Sequence, residues 1–175
     1  MNDTQKRIVI YDTPVYEESH TALVSGRSFQ MARTKSGIPT YEFDSSESVW
    51  GLKVFELHGN RLLSTYRPRF GRQMEYRVGE TYRQKASPKT RWSQGSGIYL
   101  YMTTNIDYFL NGIEDNIVID VLPINYAIGL CEAFGPFIAY DVDGCAMYNN
   151  DLSRAKKLAV SQLYIDKIVY TFRGW

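Results

Sequence analysis

The fifteen residues LKVFELHGNRLLSTY, at positions 52–66, carry the clearest structural signal in the chain. Apolar and polar side chains alternate from Leu52 to Val54 and again from Phe55 to Leu57, and this period of two predicts a β-strand. The residues His58-Gly59-Asn60 are typical of a tight turn, and an apolar run returns after them. The stretch therefore predicts a β-hairpin and, with it, a fold built on antiparallel pairing.

Outside this hairpin, strand signals outnumber helix signals. The stretch 104–110 predicts a helix because Thr103 or Thr104 can cap it, Asp107 lies near its positive end, and Asn111-Gly112 can end it. Two further helices are possible at 20–35 and 124–132. We therefore expect an α+β fold, mainly antiparallel β with a few short helices, in a single domain over residues 1–175. Further strands are expected at 8–11, 76–78, 97–102, 116–122, 136–142 and 158–172.

The residue counts exclude several classes of protein. Two cysteines are too few for a disulfide framework. Cys131, Cys145, His20 and His58 lack the clustered spacing that a structural zinc site needs, and we predict no bound metal. We see no signal-peptide pattern and no apolar run of membrane-spanning length, so the sequence predicts an intracellular, cytoplasmic protein without a membrane partner. The sequence does not predict the oligomeric state.

The formal net charge of +1 hides two strongly charged segments. Residues 61–92 hold nine Lys or Arg and two acidic residues, whereas residues 93–153 hold eight acidic residues and no Lys or Arg. Either the two segments face each other, or the first forms a basic surface for phosphate or nucleic acid. Aromatic rings interleave with its cations, which is typical of a nucleic-acid surface, and the candidate contacts are Arg67, Arg69, Arg72, Arg83, Lys85, Lys89 and Arg91.

One motif indicates a ligand site. The run Gly95-Ser96-Gly97-Ile98-Tyr99-Leu100-Tyr101 is followed by the capped helix. Glycines at Gly95 and Gly97 allow a ligand to approach the backbone, and the Tyr99 ring offers a face on which a flat heterocycle can stack. For the pair Tyr99 and Tyr101, packing in the core is the other interpretation. The candidate ligand-binding residues are Arg77, Gly95, Gly97, Tyr99 and Tyr101.

This order of loop, glycines, aromatic strand and capped helix resembles the nicotinamide-site hairpin of ADP-ribosyltransferases of the poly-ADP-ribose polymerase type. The resemblance implies an ADP-ribosyltransferase-like fold. It also implies that Arg77, in Glu75-Tyr76-Arg77-Val78-Gly79-Glu80, holds the ribose or phosphate of NAD. In an active enzyme NAD would be the cofactor, and the catalytic residues would be Tyr99 and a later carboxylate, for which we choose Glu132 over Glu114 and Asp120.

A second resemblance covers about residues 50–160. The motifs LKVFEL, HGNRL, YRVGE, GIYLY and RAKKLAV are similar, in this order, to an uncharacterised domain of large DNA viruses and bacteriophages. That domain usually has a His where this chain has Tyr99. The His that ADP-ribosyltransferases carry before the glycine run is absent from this chain as well. We therefore expect a viral or phage-type binding protein without catalytic activity, whose partner is a host or viral protein or a nucleotide ligand. An NAD-dependent ADP-ribosyltransferase and a nucleic-acid-binding protein are the alternatives.

Overall fold

The computed structural model describes residues 29–33, 39–43, 48–66, 71–87, 96–114, 122–140 and 155–174. These residues form mainly antiparallel β-structure with one short helix, α1 (Ile106–Glu114), which confirms the expected mainly antiparallel class. No helix in these ranges is long and apolar enough to cross a membrane. The strands are β1 (Phe29–Arg33), β2 (Pro39–Phe43), β3 (Val49–His58), β4 (Arg61–Leu63), β5 (Glu75–Tyr76), β6 (Thr81–Arg83), β7 (Ile98–Tyr101), β8 (Asn125–Tyr140) and β9 (Lys157–Arg173).

The hairpin predicted at 52–66 is confirmed. Strands β3 and β4 pair antiparallel, with His58 opposite Arg61 and Gly59 in the turn at φ 60°. Glycine adopts a left-handed backbone at little cost in free energy, so Gly59 suits this turn. Strand β9 likewise confirms the strand expected at 158–172, and β7 confirms the one at 97–102.

Four strands close into a ring. β8 pairs with β9 along nearly its whole length, β9 with β7, β7 with β3, and β3 returns to β8 over eight residue pairs. The contact between β7 and β3 is close, since a Cβ on Gly51 would lie 2.4 Å from the Tyr101 carbonyl oxygen. Only glycine therefore fits where the ring closes. Strands β4 and β5 extend the sheet beyond β3, β2 and β1 extend it beyond β8, and β6 adds to β9.

The ring is a small barrel with apolar side chains on both of its faces. The interior is the main core, filled by one set of alternating positions from all four strands, whereas the other set, Leu52 and Val54 among it, meets Phe109 of α1 outside. Strand β3 is therefore buried on both faces, and its polar residues Lys53 and Glu56 are only 5% and 8% exposed. The largest interior side chains that are fully buried are Phe55, Phe137, Ile98, Leu100 and Met102.

Some expectations of secondary structure are wrong. Residues 124–132 do not form a helix, because 125–140 is the central strand β8, paired at both edges. Of the helix considered at 20–35, residues 29–33 form strand β1. Helix α1 is capped by Asn105, whose Oδ1 accepts from the Tyr108 N–H at 2.9 Å, and it continues past Asn111-Gly112 to residue 114. The strands expected at 8–11 and, except for its last residue, 116–122 lie outside the described residues.

Candidate functional site

A cleft of about 460 Å³ opens at one end of the barrel, between β5 and the last residues of β9. Three arginines border it: Arg61 begins β4, Arg77 follows the neighbouring strand β5, and Arg173, far along the chain from both, ends β9. One carboxylate, Glu75, lies among them. The apolar floor continues the barrel core and consists of Leu57, Leu62, Tyr76, Ala127 and Ile168. Val78 also lines the cleft but is exposed.

Arg61 and Glu75 form an ion pair at the rim of the cleft. The Arg61 guanidinium donates from Nε at 3.2 Å and from Nη2 at 3.0 Å, one bond to each carboxylate oxygen. These hydrogen bonds lower the pKa of the Glu75 carboxyl and raise the pKa of Arg61. The pair is exposed, so it orients the two side chains more than it stabilises the fold.

The other two arginines keep hydrogen-bond donors available. Arg173 donates from Nη2 to the carbonyl oxygen of Gly59 at 3.1 Å, and this bond orients the guanidinium while its other N–H donors stay unused. Within the described ranges, no hydrogen bond or ion pair engages the Arg77 guanidinium. Two cations with unused donors therefore lie on the β5 and β9 sides of one cleft, which is the arrangement that binds carboxylate or phosphate.

The turn that carries Arg77 is held on both sides. The main-chain N–H of Arg77 donates to the Tyr82 hydroxyl at 2.6 Å, and that hydroxyl donates to Glu80 at 3.0 Å. Gly79, at φ 86°, donates its N–H to the Ile165 carbonyl at 2.7 Å. These bonds fix the backbone below Arg77, so the arginine side chain projects from a rigid base.

A buried lysine lies beneath the floor. Lys53 points into the barrel, where its Nζ donates to the Tyr99 carbonyl at 3.2 Å and lies 5.4 Å from the ring centre of Tyr76 and 5.6 Å from that of Phe55. Burial lowers the pKa of Lys53 to about 8, and burial raises the pKa of the neighbouring Cys131 to about 12. The sequence did not single out Lys53, although it shares a strand face with Phe55.

The two tyrosines of the glycine motif lie elsewhere, on the outer face of β7. The Tyr99 ring lies 6.0 Å from that of Tyr140 and 4.7 Å from the Lys157 Nζ, and burial raises its pKa to about 12. The Tyr101 ring packs 5.2 Å from Phe109. Both rings are partly buried and pack against the apolar side chains outside the barrel.

The remaining motif residues do not join the cleft either. Gly97 has φ 127°, and a Cβ there would lie 3.1 Å from the Ala159 side chain, so local packing accounts for this glycine. Glu132 is buried on β8, where it accepts a hydrogen bond from Ser48 Oγ at 2.8 Å. Of the predicted ligand and catalytic residues, the structure places Arg77 in the cleft and Gly97, Tyr99, Tyr101 and Glu132 outside its lining. Gly95 and Asp120 lie outside the described residues, as does the side chain of Glu114.

The basic segment is only partly described. Arg72, Arg83 and Lys85 are exposed, as a nucleic-acid surface requires. Within the segment, Arg61 pairs with Glu75 rather than with the acidic residues of 93–153. The other predicted contacts, Arg67, Arg69, Lys89 and Arg91, lie outside the described residues.

Comparison of the chain with protein-family models, with curated proteins and with solved structures gave no match. The resemblances drawn from short motifs therefore stay predictions.

Proposed function

We propose that this chain is a non-catalytic binding protein, and that its ligand presents an anionic group to the Arg61, Arg77 and Arg173 cleft. One observation supports the proposal above all: three guanidiniums, from the paired strands β4 and β5 and from the distant end of β9, border one cleft, whose single lining carboxylate is already bound to Arg61. Chance placement of surface arginines rarely gives a concave site with apolar walls, which is what a ligand site usually has.

The chemistry of the cleft favours a ligand with two parts. Its anionic group would bond to the unused donors of Arg77 and Arg173, and its apolar part would cover the floor around Tyr76 and Ile168. A nucleotide has this composition, and so does a protein segment that carries carboxylates among apolar side chains. These are the two ligand classes that the sequence predicts.

We propose three further properties, which the sequence predicts. The scaffold is ADP-ribosyltransferase-like, the source is viral or phage-type, and the protein works inside the cell on a host or viral partner. Arg77 supports the first of these, because the residue that the resemblance assigns to NAD lies in the cleft. A nucleotide bound there would need no catalytic carboxylate, since binding is the whole function.

Calorimetric titration with inorganic phosphate, AMP and NAD tests the proposal, together with an acidic peptide. We expect binding of at least one of these probes, and a loss of about tenfold or more in affinity in the Arg77→Ala/Arg173→Ala double variant. Arg83→Ala is the matched control, because Arg83 is an exposed arginine outside the cleft. Absence of binding by every probe, or an equal loss in the control, would refute the cleft as the site.

The enzyme alternative predicts a different result in the same solutions. An ADP-ribosyltransferase would consume NAD or label a protein, and Glu132→Gln would abolish that turnover. Glu132 is buried and bonded to Ser48, so we expect NAD to remain intact. Sustained, Glu132-dependent release of nicotinamide would contradict the non-catalytic proposal.

The nucleic-acid alternative is tested by salt. Three exposed cations, Arg72, Arg83 and Lys85, are described in the basic segment. If they contact phosphates, replacing all three with Ala lowers the slope of log affinity against log salt by about 2 for single strands. A slope that does not change, or no binding to either single- or double-stranded probes, excludes this alternative.

A further inference from the structure

Strand β9 has one edge that is only partly paired. On the side away from β8 it pairs with β7 and then with β6, whose ladder ends at Tyr164. The last main-chain bonds on that side join Gly79 N–H to the Ile165 carbonyl and Ile165 N–H to the Glu80 carbonyl. From residue 166 to residue 173, no described strand pairs with this edge.

This open edge runs along the cleft. Thr171 and Arg173 of β9 form one wall of the cleft, Arg77 and Val78 lie on the other, and Ile168 and Tyr76 are part of the floor. β6 leaves β9 where the cleft begins, so a strand added along the open edge would lie inside the cleft. The main chain of β9 and the two arginines with unused donors are thus available to the same ligand.

We propose that the partner is a short, extended, acidic segment of another protein, which adds to β9 as a further strand and places its carboxylates at Arg77 and Arg173. This inference rests on the proposed function and names the ligand of the same cleft. Main-chain hydrogen bonds supply the affinity in such a complex, and alternate side chains supply the specificity.

The register of β9 limits the length of the added strand. Tyr170 to Arg173 pair without interruption with Ile128 to Asn125, whereas the register shifts between Ile128 and Gly129. A bulge bends and twists a strand, so the regular part of the edge ends there. Four residues of β9, about 14 Å, are therefore available for continuous pairing.

Charge selects the partner. Four cations, Arg61, Arg77, Lys167 and Arg173, lie along the cleft and the edge. The described acidic residues beside them are Glu75, which Arg61 binds, Glu80, which accepts a hydrogen bond from the Tyr82 hydroxyl, and Asp166. A second copy of this chain, paired edge to edge, would bring two sets of these cations together, which disfavours a homodimer. An acidic segment neutralises the same cations, so it is the complementary occupant.

A synthetic hexapeptide of alternating Glu and Val, acetylated and amidated, is the probe. We expect it to bind in a calorimetric titration and to lose about tenfold or more in affinity with the Arg77→Ala/Arg173→Ala variant, but not with Arg83→Ala. Hydrogen exchange should slow in the main chain of residues 167–173 when the peptide is bound. The matched control peptide alternates Lys and Val, and we expect no binding.

N-methylation separates strand addition from simple charge attraction. In a paired strand only alternate amides face the neighbour, so methylating one set of alternate amides should abolish binding and methylating the other set should not. Equal binding of both methylated peptides would overturn the inference. Binding of phosphate or AMP without binding of the peptide would overturn it and leave the proposed function intact, whereas failure of every probe would overturn both.

Discussion

The buried pair Lys53 and Cys131 gives the sharpest test of the barrel interior. Below about pH 8 Lys53 is charged in both the folded and the unfolded chain, and its lowered pKa means that burial of the charge lowers the free energy of unfolding by about 3 kcal/mol. As the pH rises from 8 towards 10.5, the folded protein releases this proton before the unfolded chain does. Stability is therefore regained, by about 2 kcal/mol between pH 8 and pH 10.

Cys131 acts in the opposite direction over the same range. Its thiol has a pKa near 9 in the unfolded chain and about 12 in the barrel, so only the unfolded chain ionises between pH 8 and pH 10. This lowers the free energy of unfolding by about 1 kcal/mol across that interval. The Cys131 effect thus offsets about half of the Lys53 effect, and the natural protein gains about 1 kcal/mol across this interval.

Two variants separate them. We expect Cys131→Ala to gain about 1 kcal/mol relative to the natural protein between pH 8 and pH 10, and Lys53→Met to lose about 2 kcal/mol over the same interval. The assay is urea unfolding at several pH values and constant ionic strength, with each variant compared with the natural protein. Burial keeps the pKa of Tyr76, the tyrosine that interacts with Cys131, well above this interval, and the unfolded chains share the same tyrosines, so tyrosine titration adds little to these differences. Parallel pH profiles for all three proteins would refute the assignment of a buried lysine and thiol to the barrel interior.

Three further outcomes follow from single contacts. Gly51→Ala should destabilise the fold by about 3 kcal/mol, because its Cβ would overlap the Tyr101 carbonyl, whereas Gly59→Ala has open space and should destabilise it by about 1 kcal/mol. Urea unfolding midpoints compare the two variants, and equal losses of stability would contradict the close contact of β3 with β7. Phe109→Ala should cost about 4 kcal/mol in the same assay, because Phe109 is fully buried between α1 and the barrel, and a loss below about 1 kcal/mol would mean that the helix does not cover that face. Glu75→Gln should raise the affinity of the cleft for its anionic probe several-fold in calorimetry, since it removes the carboxylate within the cleft and frees the arginine bound to it; weaker binding would show that this carboxylate organises the site.

The sequence predicts those strands whose pattern is local. The hairpin at 52–66 and strand β9 are readable because alternation, a turn and a long β-branched run need no knowledge of the rest of the chain. The first part of strand β8 is not predicted, because its residues suit a strand only in contact with the rest of the barrel. Gly129 lies where a Cβ would be 2.9 Å from the Phe55 ring, so a residue that weakens a strand in isolation is the one that the barrel interior requires.

The candidate site was predictable only in part. A local motif directed attention to Arg77, and the structure places it in the cleft. Arg173 could not be predicted as its neighbour, because 96 residues separate the two and only the strand order brings them together. Arg61 is near in sequence, but its place in the cleft depends on the pairing of β4 with β5. The interior position of Lys53 was hidden as well, since alternation shows two faces of a strand but not that both are buried.

Closure of the barrel also bears on how quickly the chain reaches its native state. In the pairing of β3 with β8, Glu56 meets Tyr126, which is 70 positions later in the sequence. Folding rates fall as contacting residues become more distant along the chain, because the entropy lost in forming the loop must be supplied before the contact stabilises anything. We therefore expect the β3–β4 hairpin to form early. Pairing of β3 with β8 should then limit the rate of folding.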